Sequence, residues 1–287
     1  MKQLILQSPA KLNLMLHITG RRADGYHLLQ TVFQFIDLSD RLEIATTTDG
    51  SISRDPGHSS ISETEDITIH AARVLQQQFK VKQGVRISIE KRIPVGGGLG
   101  GGSSNAATTL LALNQLWGLD LELSELATIG MRLGADVPVF VMGEAAWATG
   151  IGEQLTPIEL IEPWYVVINP GVLVSTAEIF KARELTRDCD AITIRAFQRG
   201  SGTNVCEKVA CALYPEIRQA IDWLSRYGVA KMSGTGACVF AAFDSLEQAE
   251  GVKSRAAEYW ESFVVKAMNR NPVVEQCGML FPARRPG

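Results

Sequence analysis

The sequence predicts a chain of mixed strands and helices folded as two domains. At 287 residues it is long for one ordinary domain and suits two. Runs that alternate apolar and polar residues stand beside runs with a helical apolar stripe. A proline-bearing break at 156–163 separates the halves, giving expected domains of 1–157 and 158–287.

In the first half, Leu12, Leu14, Leu16 and Ile18 alternate with Lys11, Asn13, Met15 and His17. That is the period of a half-buried strand, and it points Lys11 and Asn13 to one face. Asp24-Gly25 signals a tight turn just ahead of Tyr26 and His27. Strands are expected at 41–46 and 85–90, and 49–63 reads as turn or strand edge. A helix is expected over 66–80, carried by Ile67, Ala71, Val74, Leu75 and Phe79. Further helices are expected over 104–117 and from a Ser124 N-cap to a Gly134 C-cap. In the second half, strands are expected at 164–169, 229–232, 237–243 and 263–268, and helices at 176–184, 217–226 and 246–259.

Apolar residues make up 46% of the chain and charged residues 21%, with a net charge of −3. Each half therefore has material for a core. No basic excess points to nucleic acid and no basic amphipathic stretch points to a membrane surface, so the expected partners are small molecules. Monomer and homodimer both stay open. Five cysteines, an odd number without CxxC spacing, read as reduced thiols of a cytoplasmic protein. The run Leu4-Ile5-Leu6 is too short for a secretory signal, and His58 and His70 have no partners at metal-ligand spacing.

The densest signal is Pro94-Val95-Gly96-Gly97-Gly98-Leu99-Gly100-Gly101-Gly102-Ser103-Ser104. Glycine carries the largest backbone entropy cost, so such a run needs a reason. Bare N–H groups can wrap a polyphosphate, and the following helix aims its positive end at the same place. Ser103 and Ser104 add hydroxyls for a phosphate oxygen or for magnesium. A flexible linker is the plain alternative, and the loop's place between a strand and a helix argues against it. No Gly-Lys-Ser/Thr follows, so the loop is not a Walker A motif. Gly96, Gly98 and Gly101 satisfy the dinucleotide pattern GxGxxG, with Asp120 downstream, but any run this dense does so by accident, and no alternating βαβ series follows.

Other residues stay open when read alone. Asp136, in Gly134-Ala135-Asp136-Val137-Pro138, sits at or near a helix N-cap, where it is either a cap or a base. Tyr26 and His27 are either turn residues or a platform for a flat ring. Ser233-Gly234-Thr235-Gly236 is either a hairpin turn or a second phosphate-facing loop.

Taken together, Pro9-Ala10-Lys11-Leu12-Asn13-Leu14, Arg22-Ala23-Asp24-Gly25-Tyr26-His27, the glycine loop, Gly134–Pro138 and Gly234–Gly236 resemble the GHMP kinase superfamily. Arg22–His27 is similar to the branch that acts on a cytidylylated sugar alcohol. The resemblance implies a two-domain α+β fold, with a left-handed βαβ unit in the N-terminal domain and a ferredoxin-like C-terminal domain. It also implies an ATP- and Mg2+-dependent kinase that phosphorylates the 2-hydroxyl of 4-diphosphocytidyl-2-C-methyl-D-erythritol in isoprenoid precursor synthesis. Asp136 would be the base and Lys11 its charged neighbour, with Pro94–Ser104 on the ATP phosphates and Gly234, Thr235 and Gly236 as a second glycine loop. Tyr26, His27 and Phe180 would surround the cytosine, with polar contacts from Asn13 and Thr176. Homoserine and mevalonate kinases are the nearest alternatives, and a non-catalytic nucleotide-binding module a more distant one. The chain departs from the family at Asp66-Ile67, where Asn-Leu is common, and at Asn204-Val205, where Asn-Asp is common.

Overall fold

The computed structural model describes residues 2–55 and 66–281, so part of the expected turn at 49–63, and His58, lie outside the described residues. The first lobe is built from β1 (Gln3–Arg21), β2 (His27–Thr47), β3 (Ile52–Arg54), α1 (Ile67–Gln78), β4 (Gly84–Glu90), α2 (Gly101–Trp117), α3 (Leu123–Met131), α4 (Val137–Met142), β5 (Ala146–Thr149) and β6 (Gln154–Pro157). The second contains β7 (Trp164–Asn169), α5 (Thr176–Lys181), α6 (Ile194–Gln198), α7 (Val205–Leu213), α8 (Pro215–Leu224), β8 (Lys231–Met232), β9 (Val239–Phe243), α9 (Leu246–Ala256) and β10 (Glu261–Met268). A last short helix, α10 (Pro272–Gln276), follows. Among the described residues, no helix is long and apolar enough to cross a membrane.

One sheet runs through both lobes, in the order β3-β4-β2-β10-β7-β9-β8. In the first lobe, β3 and β4 are parallel neighbours joined through α1, and the remaining pairs are antiparallel. In the second, β10-β7-β9-β8 is wholly antiparallel, which in chain order is the 4-1-3-2 arrangement of a ferredoxin-like βαββαβ unit. The lobes meet where Ala267 and Met268 of β10 pair with Ile36 and Phe35 of β2.

Two cores flank this sheet. The first is packed around α2, which is buried nearly all round because Ala106, Ala107, Thr108 and Ala112 let its neighbours approach closely. The second lies under α7, α8 and α9 against β7 and β9. A third cluster joins the lobes beneath the glycine loop, with Leu12, Ile36, Leu99, Cys238 and Phe240. Val273, Val274 and Cys277 return to the first core, so α10 packs on the first lobe.

Several expected elements take different bounds. The strand at 10–18 is the middle of β1, and it is not half-buried: Lys11 and Asn13 are 3% exposed and Met15 0%. Its outer edge is covered by loop backbone, through Lys11 N–H to the Leu99 carbonyl at 2.9 Å and Leu16 N–H to the Thr203 carbonyl at 2.9 Å. The helix expected to begin at Ser104 begins at Gly101, after Gly100 turns the chain with φ +73°. Ser124 is not the cap of α3. Glu122 is, in a reciprocal capping box with Glu125. Asn204 still caps α7, its side chain accepting from the Cys206 N–H, although the acidic residue common after it is absent.

The approach to the glycine loop hangs on one buried carboxylate. Asp40, 0% exposed, accepts from the N–H groups of Arg92 (2.8 Å) and Ile93 (2.9 Å), from Asn105 Nδ2 of α2 (2.9 Å), and from the Lys91 ammonium. Replacing Asp40 by Ala strands these donors and is expected to cost about 3–5 kcal/mol. The expected signature is a lower urea midpoint with an unchanged m-value, and a midpoint matching the unmodified protein would contradict the assignment.

Candidate active site

The lobes enclose a cleft of about 1220 Å³ whose floor is the glycine loop. The loop is gripped from below by its carbonyls. Those of Gly96 and Gly97 accept from Ala237 N–H (3.3 Å) and Cys238 N–H (3.0 Å), and that of Leu99 from Lys11 N–H (2.9 Å). The Gly98 carbonyl accepts twice, from Ser233 Oγ (2.9 Å) and Lys11 Nζ (3.0 Å). Among the described residues, the N–H groups from Gly96 to Ser103 make no hydrogen bond. A loop held by its carbonyls presents its N–H groups outward, and the first turn of α2 adds unpaired donors and the positive end of a helix dipole.

Glycine is required here by contact as well as by φ. A Cβ at Gly98, where φ is +73°, would stand 2.2 Å from the Ser233 carbonyl oxygen. One at Gly97 would meet Cys238 Sγ at 2.6 Å. The second glycine loop is therefore the backing of the first. It is braced in turn by Asn204 Nδ2, which donates to the carbonyls of Met232 (2.8 Å) and Gly234 (2.7 Å).

Beside the loop, Lys11 Nζ lies 3.1 Å from Asp136 Oδ2. Lys11 also donates to Asn13 Oδ1 and stands over the Phe33 ring, 5.5 Å from its centroid. With the Gly98 carbonyl, these acceptors account for all three ammonium donors. Asp136 is the N-cap of α4 by position, but its side chain makes no cap bond. It faces the cleft with about a third of its side chain exposed, and Oδ1 makes no hydrogen bond among the described residues.

The opposite wall comes from the Asp24-Gly25 turn and from α5. Thr176 and Phe180 are one helical turn apart, so both reach the cleft. The Phe180 ring stacks on His27, with centroids 5.1 Å apart and planes 21° from parallel. Rings this close are in mutual contact and form one wall, with no room for a base between them. Tyr26, 61% exposed, stands at the rim. Burial, then the positive charges of Arg187 and Arg21, hold the His27 imidazole below the usual histidine range.

Pro94 to Ser103, Asn13, Gly234 and Thr235 also line the cleft, and Thr235 Oγ1 lies 3.0 Å from Thr176 Oγ1. Two expected residues do not line it. Ser104 is fully buried, its hydroxyl donating to the Pro9 carbonyl at 2.6 Å and its N–H to the Gly100 carbonyl at 2.9 Å, so it holds α2 to β1. Gly236 closes the turn behind the loop, its N–H on the Ser233 carbonyl at 3.0 Å. Asn13 is on the wall, but its oxygen serves Lys11 and its Nδ2 donates to Thr31 Oγ1 at 2.8 Å. Asp66 and Ile67, where the chain departs from the family, line the cleft; sequence reasoning passed over Lys91 and Arg54, which line it beyond the loop, and Arg187, which holds His27. The charged run Glu90-Lys91-Arg92 directly before the loop was a signal for the first, and Arg187 lies in a segment without periodicity.

Residues 66–144 match the GHMP kinases N terminal domain and residues 175–262 the GHMP kinases C terminal domain. A 4-diphosphocytidyl-2-C-methyl-D-erythritol kinase of Nitrosococcus oceani is 52% identical over 266 residues, covering 93% of this chain and 95% of that protein. One from Chromohalobacter salexigens is 48% identical, covering 97% and 96%. The chain belongs to the 4-diphosphocytidyl-2-C-methyl-D-erythritol kinase family of the GHMP kinases. A crystal structure of a 4-(cytidine 5'-diphospho)-2C-methyl-D-erythritol kinase superposes with a TM-score of 0.80 at 32% identity, covering 92% of this chain and 99% of that one. The Methanococcus jannaschii mevalonate kinase, at 18% identity and TM-score 0.67, covering 93% of this chain and 99% of its own, shares the fold. Membership makes the chain an ATP-using phosphotransferase.

The loop's sterics give a paired prediction. Gly98→Ala is expected to lower the melting temperature and abolish nucleotide protection. Gly102→Ala, whose Cβ would meet only Ile67 Cδ1 at 3.7 Å, is expected to melt no lower than the unmodified protein. Differential scanning fluorimetry with and without ATP separates the two, and equal melting of both variants would contradict the backing role of Ser233.

Proposed function

We propose that the chain transfers the γ-phosphoryl group of ATP to the 2-hydroxyl of 4-diphosphocytidyl-2-C-methyl-D-erythritol, giving ADP and the 2-phosphate, in the cytoplasm. The carrying observation is that one ammonium, Lys11 Nζ, reaches both the Asp136 carboxylate (3.1 Å) and the glycine-loop carbonyl of Gly98 (3.0 Å). A base and a polyphosphate cradle fixed to the same atom are what an in-line transfer between two bound molecules needs. The relatives' names supply the substrate, and the aromatic wall of His27 and Phe180, with Tyr26 at the rim, suits a nucleobase. The five unpaired thiols support the cytoplasmic reading.

Asp136 Oδ1 accepts the hydroxyl proton as the sugar oxygen bonds the γ-phosphorus and the bond from that phosphorus to the bridging oxygen of ADP breaks. Such transfers pass through a loose transition state, so the protein's part is positioning and charge neutralisation. The free N–H groups from Gly96 to Ser103 cradle the phosphates, and Lys11 keeps Asp136 at the cradle's edge. Among the described residues, no cluster of three or more His, Cys, Asp or Glu side chains stands ready for a metal. The site suits magnesium carried on the nucleotide, which asks for few protein ligands, and the Ser103 hydroxyl and Asp136 carboxylate both face the cleft. When bound, the ion neutralises phosphate charge.

Asp136→Asn is expected to lower kcat by roughly 10²–10⁴ while the fold persists. The check is coupled ADP release across cytidylylated methylerythritol, homoserine and mevalonate. Turnover of either of the last two at a comparable rate would overturn the substrate assignment, and a loss well under tenfold in folded Asp136→Asn would overturn the base.

A further inference from the structure

One guanidinium grips both members of the stacked pair on the substrate wall. Arg187 lies in the irregular segment between α5 and α6. Through Nη2 it donates to the carbonyls of Phe180 (2.8 Å) and Ala182 (2.7 Å), and through Nη1 to that of Leu185 (2.9 Å). Its Nε donates to Nε2 of His27 at 3.2 Å. The fork thus closes the C-terminal end of α5, where carbonyls lack helical partners, and ties it to the start of β2. Sequence position gives no hint of this, because Arg187 and His27 are remote in the chain and neither belongs to a periodic run.

Arginine has only donors, so His27 Nε2 accepts, and the proton of the neutral ring sits on Nδ1. Among the described residues, Nδ1 makes no hydrogen bond, and His27 lines the cleft. We propose that Arg187 is a positioning residue that fixes His27 as a hydrogen-bond donor toward the substrate's base, and so selects cytosine over uracil. This rests on the cytidylyl reading above. At ring position 3 cytosine offers a lone pair, whereas uracil offers an N–H. An imidazole locked with its N–H toward that edge pairs with the first and meets donor to donor with the second. Without the guanidinium, His27 is free to change tautomer or to turn, and the edge no longer distinguishes the two bases. The charges around the ring act the same way: Arg187, and Arg21 from β1, both oppose a second proton on the imidazole.

Two measurements test this on the full chain. In the unmodified protein, 15N spectra of labelled histidine are expected to show His27 protonated at Nδ1 and bare at Nε2, with CDP moving the Nδ1 signal and UDP leaving it in place. Steady-state kinetics then compare Arg187→Gln and Arg187→Lys with the unmodified enzyme, using cytidylyl and uridylyl methylerythritol diphosphates. For Arg187→Gln, KM for the cytidylyl substrate is expected to rise about tenfold, the worth of one hydrogen bond of about 1.4 kcal/mol, and the preference in kcat/KM for cytosine to fall by a similar factor. KM for ATP is expected to stay within about twofold. Arg187→Lys keeps the charge without the planar fork and is expected to recover less than half of the lost preference. An Nε2-protonated His27 in the unmodified protein, or an unchanged preference in folded Arg187→Gln, would overturn the proposal. Failure of the unmodified protein to turn over the cytidylyl substrate would instead overturn the activity reading, and the tautomer experiment would still stand on its own.

Discussion

A buried ammonium has few ways to be tolerated, and Lys11 uses them all. It is 3% exposed, and taking a lysine out of water is costly unless every donor finds an acceptor. The three it finds come from Asn13 on its own strand, Gly98 on the glycine loop and Asp136 at the head of α4. The core brings these elements together, through the Lys11 N–H on the Leu99 carbonyl and the packing of Phe140 of α4 on Phe35 of β2. Within that frame the ammonium sets where the carboxylate and the glycine loop meet. Asp136 is free to answer because its side chain takes no part in capping α4.

The second constraint is an economy of backbone groups. A loop cannot offer its N–H groups to a ligand and also use them to hold itself in place, so the carbonyls must do the holding. The chain achieves this by setting a second glycine loop behind the first, with Ser233, Ala237 and Cys238 donating to Gly98, Gly96 and Gly97. The loops need glycine for different reasons: at Gly98 the Ser233 carbonyl stands where a Cβ would be, whereas Gly234 and Gly236 take φ of +59° and +102°, which favours glycine. The residues from 233 to 238 come from the second lobe, so the floor of the cleft is backed only when the lobes are joined, as the cluster around Leu12, Leu99, Cys238 and Phe240 joins them.

Much of the fold was legible because its elements obey one period at a time. The strand at 164–169 has the observed bounds, and the helix expected over 66–80 is α1, Ile67–Gln78. Legibility failed where burial erased the pattern. β2 is 21 residues long, yet only its end alternates cleanly, since Val32 to Ile36 are buried on both faces, Phe33 and Phe35 in the first core and Val32 and Ile36 in other clusters. The short elements β5, β6, α6 and α10 and the helix α7 went unread, the shortest being too brief for a period to repeat. At α2 the rule that glycine opposes helix gave a late start. At Gly101 the fold leaves little room for anything else, since a Cβ there would stand 3.0 Å from Ile93 Cγ2. In the site, the glycine run announced itself. The convergence of Lys11 and Asp136 rested on resemblance, because no local pattern records a contact between distant segments.

The two halves of the cleft are built to different standards, and this bears on how one fold serves several acceptors. The half of the cleft at the glycine loop stands on long, buried elements, β1 and α2, and on two interlocked loops tied by main-chain bonds and by the side chains of Ser233, Lys11 and Asn204. The opposite half stands on a tight turn and the six-residue helix α5, held together by side chains of Arg187, His27 and Phe180. Main-chain ties survive sequence change as long as glycine stays where Cβ cannot fit, whereas side-chain ties vanish with a single substitution. A single substitution at Arg187, His27 or Phe180 would therefore disturb that wall while the main-chain bonds under the glycine loop stay in place. Such a change sits on short elements and leaves the sheet and its cores as they are, so a comparison of folds alone does not read it.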